Sequence, residues 1–275
     1  MSRELITFEN AKSPVSEAFK TLRTNIQFMT SNKKLKTLLI TSCIPGEGKS
    51  WTSSNLAVTF AQAGKRVLII DADMRKGRLF NVFQVKPIPG LSNYLSGVTN
   101  IGAESEADIM EYIQETKIKK LYVIPAGSVP PNPSELLVSD KMEEMIQVLK
   151  NMFDIIIFDG TPSEILTDAI IISTLVDATI LVSSYKKTKI AMLKKVAKNI
   201  QNVGGNVAGI VINRYPSMPK KYGEKYYGSN YNVPMKVKSN KKITVTKGTT
   251  KTKEKIQVEE KKEEKVVQND TAVND

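Results

Sequence analysis

Short apolar runs alternate along this chain with longer segments in which apolar residues recur at helical spacing. The apolar runs predict buried β-strands at 36–41, 66–70, 121–126, 155–158, 179–183 and 207–212. The helical spacing predicts helices at 13–29, 50–63, 133–151 and 189–203. Strands of a parallel sheet are apolar on both faces, because helices cover both sides of such a sheet. The pattern therefore predicts an α/β fold, a mostly parallel sheet with helices on both faces.

Residues that favour helix ends support these boundaries. Ser13 is predicted to cap the first helix, and Asn132, which precedes a proline, is predicted to cap the third. Gly64 and Gly204 stand where the second and fourth helices are expected to end, a position that glycine favours.

Composition divides the chain into four predicted regions. Residues 1–32 are predicted to form an N-terminal helical arm, and residues 33–214 contain the predicted sheet. Residues 215–231 contain five of the nine tyrosines, whereas residues 232–275 contain no aromatic residue and are rich in Lys and Glu. A segment of that composition buries too little apolar surface to offset its chain entropy, so we expect the tail to be disordered.

Length and composition exclude several classes of protein. At 275 residues and 41% hydrophobic content, the chain is long enough for one large domain with appendages. The absence of histidine excludes Ser-His-Asp catalysis and histidine-bound zinc. The single cysteine, Cys43, excludes an internal disulfide and fits a reducing compartment. Since no signal-peptide pattern and no apolar run near the ~20 residues of a membrane span is present, we expect a cytoplasmic protein.

The net charge of +12 does not by itself indicate nucleic-acid binding. Residues 232–275 carry 11 Lys against 7 Asp and Glu, so +4 of the charge lies in the tail. No nucleic-acid recognition motif accompanies the remaining charge. We interpret it as a solvated surface and predict no specific nucleic-acid partner.

A phosphate-binding loop follows the first predicted strand. Residues 43–50 fit the pattern Gly-x-x-x-x-Gly-Lys-[Ser/Thr], except that Cys43 occupies the first glycine position. The backbone N–H groups of such a loop and the N-terminus of the following helix attract a phosphate. Lys49 is expected to bridge the β- and γ-phosphates and Ser50 to bind Mg²⁺, whereas the alternative is a glycine-rich turn that binds nothing. The loop residues predicted to contact the nucleotide are Pro45, Gly46, Glu47, Gly48, Lys49, Ser50 and Trp51.

Three aspartates are predicted to join this loop. Asp71 and Asp73 end the second predicted strand, and Asp159 follows the fourth. Ligands of open α/β sheets bind at the carboxyl ends of the strands, and a divalent cation there relieves repulsion between acids. The predicted metal ligands are therefore Ser50, Asp73 and Asp159, the alternatives being solvated acids in a surface turn and a helix-capping Asp159. No Asn-Lys-x-Asp guanine motif is present, so ATP is favoured over GTP.

The order of these segments resembles the bacterial tyrosine kinases of capsule and exopolysaccharide synthesis, and the resemblance covers about residues 13–231. Glu17-x-x-Lys20-x-x-Arg23 is similar to the oligomerisation segment of that family, Glu-x-x-Arg-x-x-Arg, with Lys20 in place of the first arginine.

Three further segments bear on the resemblance. Residues 90–97 and 130–137 are similar to family segments, whereas Asp159-Gly160-Thr161-Pro162 departs from the usual Asp-Thr-Pro-Pro.

The resemblance implies a P-loop protein-tyrosine kinase that uses ATP and Mg²⁺ and is unrelated in fold to eukaryotic kinases. It implies that Asp71 accepts the tyrosine proton, that Asp73 helps to hold Mg²⁺ and that Asn213 and Arg214 border the adenine. With Lys49, these two aspartates form the implied catalytic set. The resemblance also implies a membrane-bound activator that recruits the kinase to the inner face of the membrane. It further implies a ring of identical subunits that comes apart when the tail is phosphorylated.

The tyrosine cluster supplies the predicted phosphate acceptors. These are Tyr215, Tyr222, Tyr226, Tyr227 and Tyr231. An extended chain between the first and the last spans roughly 55 Å, enough to enter the site of a neighbouring subunit. The cluster carries three Lys against one Glu, a net of +2, which two or three phosphates of about −1.5 to −2 each would reverse. The alternative is an aromatic tail that packs on the body or contacts membrane or nucleic acid.

Two other functions are compatible with the motifs. A partition or septum-positioning ATPase resembles this chain in fold, but such proteins carry an extra lysine early in the loop, where Ile44 stands. A non-catalytic ATP-binding regulator of polysaccharide export is the other, because all the acids can be present and idle.

Two loop residues also have more than one interpretation. Cys43 is either a redox switch or a small residue in place of glycine, and Trp51 is interpreted as a packing residue.

Overall fold

The computed structural model describes residues 4–29, 35–97 and 108–216. Within them, seven strands form one sheet, and all but β3 run parallel to their neighbours. The strands are β1 (Thr37–Ser42), β2 (Val67–Asp71), β3 (Gln114–Glu115), β4 (Leu121–Ile124), β5 (Ile155–Pro162), β6 (Ala178–Ser184) and β7 (Val207–Asn213). Their spatial order is β3-β4-β2-β5-β1-β6-β7.

Helices cover both faces of this sheet, as the alternation of the sequence predicted. They are α1 (Ile6–Glu9), α2 (Pro14–Phe28), α3 (Lys49–Gln62), α4 (Leu79–Phe83), α5 (Leu91–Ser96), α6 (Pro133–Val138), α7 (Asp140–Met152), α8 (Asp168–Leu175) and α9 (Ile190–Asn202). A core on one face contains Phe19, Leu56 and Ile157. The core on the other face contains Leu149 and Phe158.

The central strands bring the predicted acids to one edge. Strand β5 lies between β1 and β2, and every residue of these three strands is buried. In the register of the β2–β5 pair, Asp71 stands beside Asp159. Both carboxylates therefore lie at the carboxyl edge of the sheet, next to the loop between β1 and α3.

The predicted helix ends at Ser13, Gly64 and Gly204 are confirmed. The Ser13 hydroxyl accepts a hydrogen bond from the Ser16 N–H at 3.1 Å. Gly64 and Gly204 both have a φ of 85°, the left-handed conformation that favours glycine after a helix.

The prediction of one continuous helix over 133–151 is wrong. Ser139 is extended, with φ −66° and ψ 148°, and separates α6 from α7. Its hydroxyl donates to the Leu136 carbonyl at 2.7 Å, which satisfies the end of α6 locally. Asn132 does not cap α6 through its side chain, and its amide donates instead to the Glu135 carboxylate at 3.2 Å.

Helix α8 was not predicted, because its sequence does not show the amphipathic period of a surface helix. Its three consecutive isoleucines, 170–172, favour a strand by propensity. The helix instead lies on the sheet with Ala169 and Ile172 fully buried, so its position is set by tertiary packing.

The N-terminal helices pack on α3. The side chain of Asn55 accepts a hydrogen bond from the Thr7 N–H at 3.0 Å, and Phe19 meets Trp51 edge to face with ring centroids 5.1 Å apart. The division of the chain at residues 32, 214 and 231 stays a prediction, and residues 217–275 lie outside the described part. Among the described residues, no helix combines the length and apolar composition needed to cross a membrane.

Candidate active site

The loop between β1 and α3 is held in shape by the buried side chain of Glu47. One carboxylate oxygen accepts from the Ile44 N–H at 2.9 Å, and the other accepts from the Ser184 N–H at 3.2 Å and from the Thr188 hydroxyl. Glu47 is fully buried. Its side chain therefore supports the loop from inside, and only its backbone faces the position predicted for the phosphates.

Two glycines give the loop its course. Gly46 and Gly48 have φ values of 78° and 96°, which residues with a Cβ rarely adopt. A Cβ on Gly48 would also collide with the Asn213 amide. That amide donates to the Glu47 carbonyl at 2.8 Å, so the end of β7 is fastened to the loop. Asn213, predicted to border the adenine, thus lies against the loop, and Arg214 follows it on the exposed surface.

Lys49 lies among the three predicted acids. Its ammonium group donates to Asp73 Oδ2 at 3.1 Å and to Ser50 Oγ at 3.5 Å. Burial opposes the charge of this lysine, but the carboxylates of Asp159 and Asp73 outweigh burial and raise the Lys49 pKa above its ordinary value. The lysine is therefore held charged, as phosphate binding requires.

Asp71 is fully buried and accepts three backbone hydrogen bonds. Oδ2 accepts from Arg78 and Leu79 at 2.7 and 2.9 Å, whereas Oδ1 accepts a longer bond of 3.3 Å from Asp73. Burial and the charge of Asp159 raise the pKa of Asp71 to about 7, against the opposing effect of these N–H groups and Lys49. This carboxylate can therefore accept a proton near neutral pH, and Oδ1 has the greater capacity to do so.

Asp159 has a carboxylate oxygen without a partner. Its Oδ1 is buried and makes no hydrogen bond to the described residues. Burial raises the pKa of Asp159, although the nearby Lys49 and the Ser50 hydroxyl oppose this effect. An orphaned buried oxygen is costly, and the carboxylate that carries it interacts with Lys49 and the Ser50 hydroxyl.

These groups fit a magnesium ion. No cluster of three acidic or thiol side chains among the described residues could hold a metal by itself. Mg²⁺ is usually held by one or two carboxylates together with substrate phosphates and water. The predicted ligands Ser50, Asp73 and Asp159 would supply two carboxylates and a hydroxyl and leave the other positions to phosphate oxygens and water.

The surroundings of Cys43 favour a small residue in place of glycine over a redox switch. Its side chain is fully buried, and burial, followed by the charges of Glu47 and Glu164, raises the pKa of the thiol to about 12. A thiol that stays protonated is a poor nucleophile. Cys43 is therefore a small residue in place of the first glycine.

The structure also shows where the other predicted residues lie. Lys20 pairs with Glu17 at 2.8 Å on α2, and Arg23 donates to the Thr59 carbonyl of α3 at 2.8 Å. Tyr215 is exposed and contacts Tyr185, with ring centroids 4.7 Å apart. The remaining tyrosines of the cluster lie outside the described residues.

Sequence reasoning missed two buried acids near the site, Glu47 as a support and Asp168 as the partner of Arg75. Asp168 could have been noticed as a charged residue at the start of an apolar segment. Its partner Arg75 could not have been found from the sequence, because it is 93 residues away.

Comparison with known proteins assigns the chain to a family. The model of the AAA domain family matches residues 35–209. The tyrosine-protein kinase CpsD of Streptococcus agalactiae is 40% identical over 214 residues, which cover 78% of this chain and 88% of CpsD. This chain belongs to the bacterial tyrosine kinase family. The predicted family and α/β P-loop fold are thereby confirmed.

Solved structures share this fold. The chimerical protein CapA2B2 superposes with a TM-score of 0.72 and is 34% identical in sequence. The match covers 79% of this chain and 92% of the chimera. The cell division ATPase MinD of Pyrococcus furiosus has a TM-score of 0.55 at 28% identity, over 69% and 78% of the two chains. The partition and septum-positioning ATPases thus share the fold, but the sequence similarity favours the kinases.

Proposed function

We propose that this protein is an ATP-dependent protein-tyrosine kinase that phosphorylates its own tyrosine cluster and regulates capsule or exopolysaccharide synthesis. The single observation that carries the proposal is the pair of buried acids, Asp71 and Asp159, side by side next to Lys49. One acid has a pKa near neutrality, and the other has an unpartnered oxygen that suits a cation. The similarity to CpsD supports tyrosine as the acceptor.

The loop and Lys49 bind and orient the triphosphate of ATP. The backbone N–H groups around Gly46 and Gly48 would bind the phosphates, and the Lys49 ammonium would neutralise charge on the transferred group. Ser50, Asp73 and Asp159 would hold Mg²⁺. When bound, the ion supplies charge neutralisation on the phosphate oxygens.

Asp71 acts on the acceptor. Its Oδ1 takes the proton of the tyrosine hydroxyl as the phenolic oxygen bonds to the γ-phosphorus. The bond between that phosphorus and the β–γ bridging oxygen breaks, so the products are phosphotyrosine and ADP. The surroundings of Asp71 suit this role, because burial and Asp159 raise its proton affinity while its backbone partners keep the carboxylate in place.

The acceptors are the cluster Tyr215 to Tyr231. Tyr215, the one acceptor among the described residues, is 60% exposed. Two or three phosphates would convert the net +2 of the cluster into a negative charge. A phosphorylated cluster is then repelled by the acidic site, which limits the reaction.

We further propose a membrane-bound activator and a ring of identical subunits. The name of the chimera CapA2B2 joins two components and supports a companion protein for this kinase. The ring contact is assigned to Glu17, Lys20 and Arg23, of which Glu17 and Lys20 are only half-buried and pair with each other. The activator is expected to bring the kinase to the inner face of the membrane.

Labelled ATP tests the proposed function. The full chain is incubated with γ-labelled ATP and Mg²⁺, with and without a cytoplasmic fragment of the activator, and digested for mass spectrometry. Phosphotyrosine within residues 215–231 supports the kinase, and the label is expected to disappear in Lys49→Met. Replacement of the five tyrosines by phenylalanine is the matched control, because it should remove the label while leaving ATP binding unchanged. Release of free phosphate without phosphotyrosine would indicate an ATPase switch instead.

A further inference from the structure

The side chain of Asp168 is a buried carboxylate with three donors. Its side chain is 1% exposed, and it accepts from Arg75 Nε at 3.1 Å, from Arg75 Nη2 at 3.4 Å and from the Ser134 hydroxyl at 2.6 Å. A buried charge is expensive unless it is paired and hydrogen-bonded. Both of its oxygens are engaged, so Asp168 itself is not free to bind a ligand.

The partner of Asp168, Arg75, lies in the turn after β2. The proposed catalytic acids are close by in sequence, since Asp71 ends β2 and Asp73 lies in this turn. Within this turn the Lys76 N–H donates to Asp73 Oδ1 at 3.0 Å, and the Arg78 N–H donates to Asp71 Oδ2 at 2.7 Å. Arg75 directly precedes Lys76 and lies three residues before Arg78, so it belongs to the same turn as the two N–H groups that fix Asp73 and Asp71. Its two-pronged contact restricts both the position and the rotation of the turn.

Close packing around Gly77 shows how little freedom the turn has. A Cβ at Gly77 would lie 2.5 Å from the Ala126 side chain and 3.1 Å from Asp71 Oδ2. A displacement of the turn therefore moves directly against the carboxylate of Asp71. The contact between Arg75 and Asp168 therefore helps to hold the turn where Asp73 meets Lys49 of the phosphate loop.

The carboxylate of Asp168 also contacts α6, a helix that has no part in the proposed mechanism. Ser134 lies in the first turn of α6, and Asp168 begins α8. The carboxylate of Asp168 therefore connects the first turns of α6 and α8 with the turn after β2.

We infer that Asp168, through its paired contact with Arg75, is a positioning residue that sets the placement of Asp71 and Asp73 for phosphoryl transfer. The inference rests on the proposed function. Asp168 contacts no reacting atom and acts only through Arg75 and the turn.

The matched pair Asp168→Asn and Asp177→Asn tests this role in the full chain. Asp177 is also hydrogen-bonded and paired with a cation, Lys150 at 3.6 Å, but it lies at the opposite edge of the sheet. At saturating Mg-ATP, we expect Asp168→Asn to lower the autophosphorylation rate about 10- to 100-fold, as small misplacements of catalytic groups do. We also expect a severalfold higher Mg²⁺ concentration for half-maximal rate, because Asp73 is displaced. Asp177→Asn should keep both values within about twofold.

A double variant separates positioning from general destabilisation. Because Arg75 and Asp168 act as one unit, Arg75→Gln combined with Asp168→Asn should lose about as much rate as either change alone. Arg75→Lys should fall between the wild type and Arg75→Gln, since lysine keeps the charge but not the fork. Losses that multiply in the double variant would overturn the inference. So would an Asp168→Asn variant whose loss of rate disappears when it is assayed well below its melting temperature.

A readout without phosphotyrosine distinguishes failure of the inference from failure of the proposed function. The Mg²⁺ dependence of ATP binding is measured for the same variants by equilibrium dialysis with labelled ATP. If the wild type forms no phosphotyrosine, the kinase proposal fails. A shift of the Mg²⁺ dependence in Asp168→Asn, with none in Asp177→Asn, still supports positioning of the turn, and equal curves for both variants contradict it.

Discussion

The aspartates at the amino edge and at the carboxyl edge of the sheet have pKa values shifted in opposite directions. At the amino edge, Asp177 accepts from the Lys36 and Thr37 N–H groups, both at 2.8 Å. Burial opposes its ionisation, but these hydrogen bonds prevail and lower its pKa. At the carboxyl edge, Asp71 and Asp159 are buried side by side, and their pKa values are raised.

The difference separates acids that stabilise the fold from acids that serve the site. Asp177 directly precedes β6 and is hydrogen-bonded to the start of β1. Folding therefore stabilises its ionised form. Asp159 loses hydration on folding and leaves one oxygen without a partner. Unfavourable burial of this kind is typical of functional sites. We therefore expect substitutions at the carboxyl edge to lower activity and substitutions at the amino edge to lower stability.

The largest expected effect is that of Asp159→Asn on activity. Loss of this carboxylate removes a proposed metal ligand, so the phosphotyrosine rate should fall about 100-fold or more. The variant should be about as stable as the wild type, because the carboxylate that is removed is buried with one oxygen unpartnered, while Lys49 keeps its ion pair with Asp73. Rates and melting temperatures measured on the same preparations check both parts. A marked loss of stability would show that this charge supports the fold.

Lys49→Met should disturb both function and folding at the carboxyl edge. Lys49 and Asp73 are 13% and 10% exposed in their side chains, so their ion pair is largely dry. Removing one partner of a buried pair costs about 3 kcal/mol or more of unfolding free energy. Urea denaturation at neutral pH measures this loss, with Lys195→Met on α9 as the control, because Lys195 is exposed and pairs with Glu164 at 2.8 Å. A loss no larger than that of the control would mean that the pair is solvated.

Asp177→Asn should show the reverse pattern, with activity kept and stability lowered. The loss should be about 1 kcal/mol, because the carboxylate is hydrogen-bonded but partly exposed. Its folded pKa is lowered, so the stabilisation is complete above the unfolded value of about 3.9 and is lost as pH falls through the folded value. The difference between variant and wild type should therefore be present at neutral pH and shrink under acid conditions. An unchanged difference at low pH would contradict the assignment.

The smallest expected effect concerns Cys43. Since burial raises the pKa of its thiol to about 12, iodoacetamide at mildly alkaline pH should leave the native protein unlabelled and label it only after denaturation. Mass spectrometry of the peptide that contains residue 43 reports the modification. Rapid native labelling would mean that the loop opens far more than its buried contacts with Glu47 indicate.

The fold could be predicted from sequence to the extent that local patterns determine it. Apolar runs that end in aspartate located β2, β5 and the acids after them, because burial on both faces leaves a continuous apolar signature. Helix α8 and the break at Ser139 could not be found in this way. Both depend on tertiary packing and on a hydroxyl that competes with the helix backbone.

The motif residues of the site could be predicted from the sequence, but the buried residues that hold them in place could not. Lys49, Ser50 and the three aspartates follow from spacing, whereas the enclosed side chain of Glu47 and the Asp168–Arg75 pair depend on residues far apart in the chain. The inertness of Cys43 likewise follows from burial, which its place beside a helix N-terminus did not indicate.

The central claim, that Asp71 accepts the tyrosine proton, is tested most directly by Asp71→Ala. Mg-ATP affinity and phosphotyrosine formation within residues 215–231 are measured on the same sample by equilibrium dialysis and mass spectrometry. We predict that Mg-ATP still binds and that phosphotyrosine formation falls about 100- to 10,000-fold, as expected when a general base is removed. Retention of phosphotyrosine near the wild-type level would contradict the account.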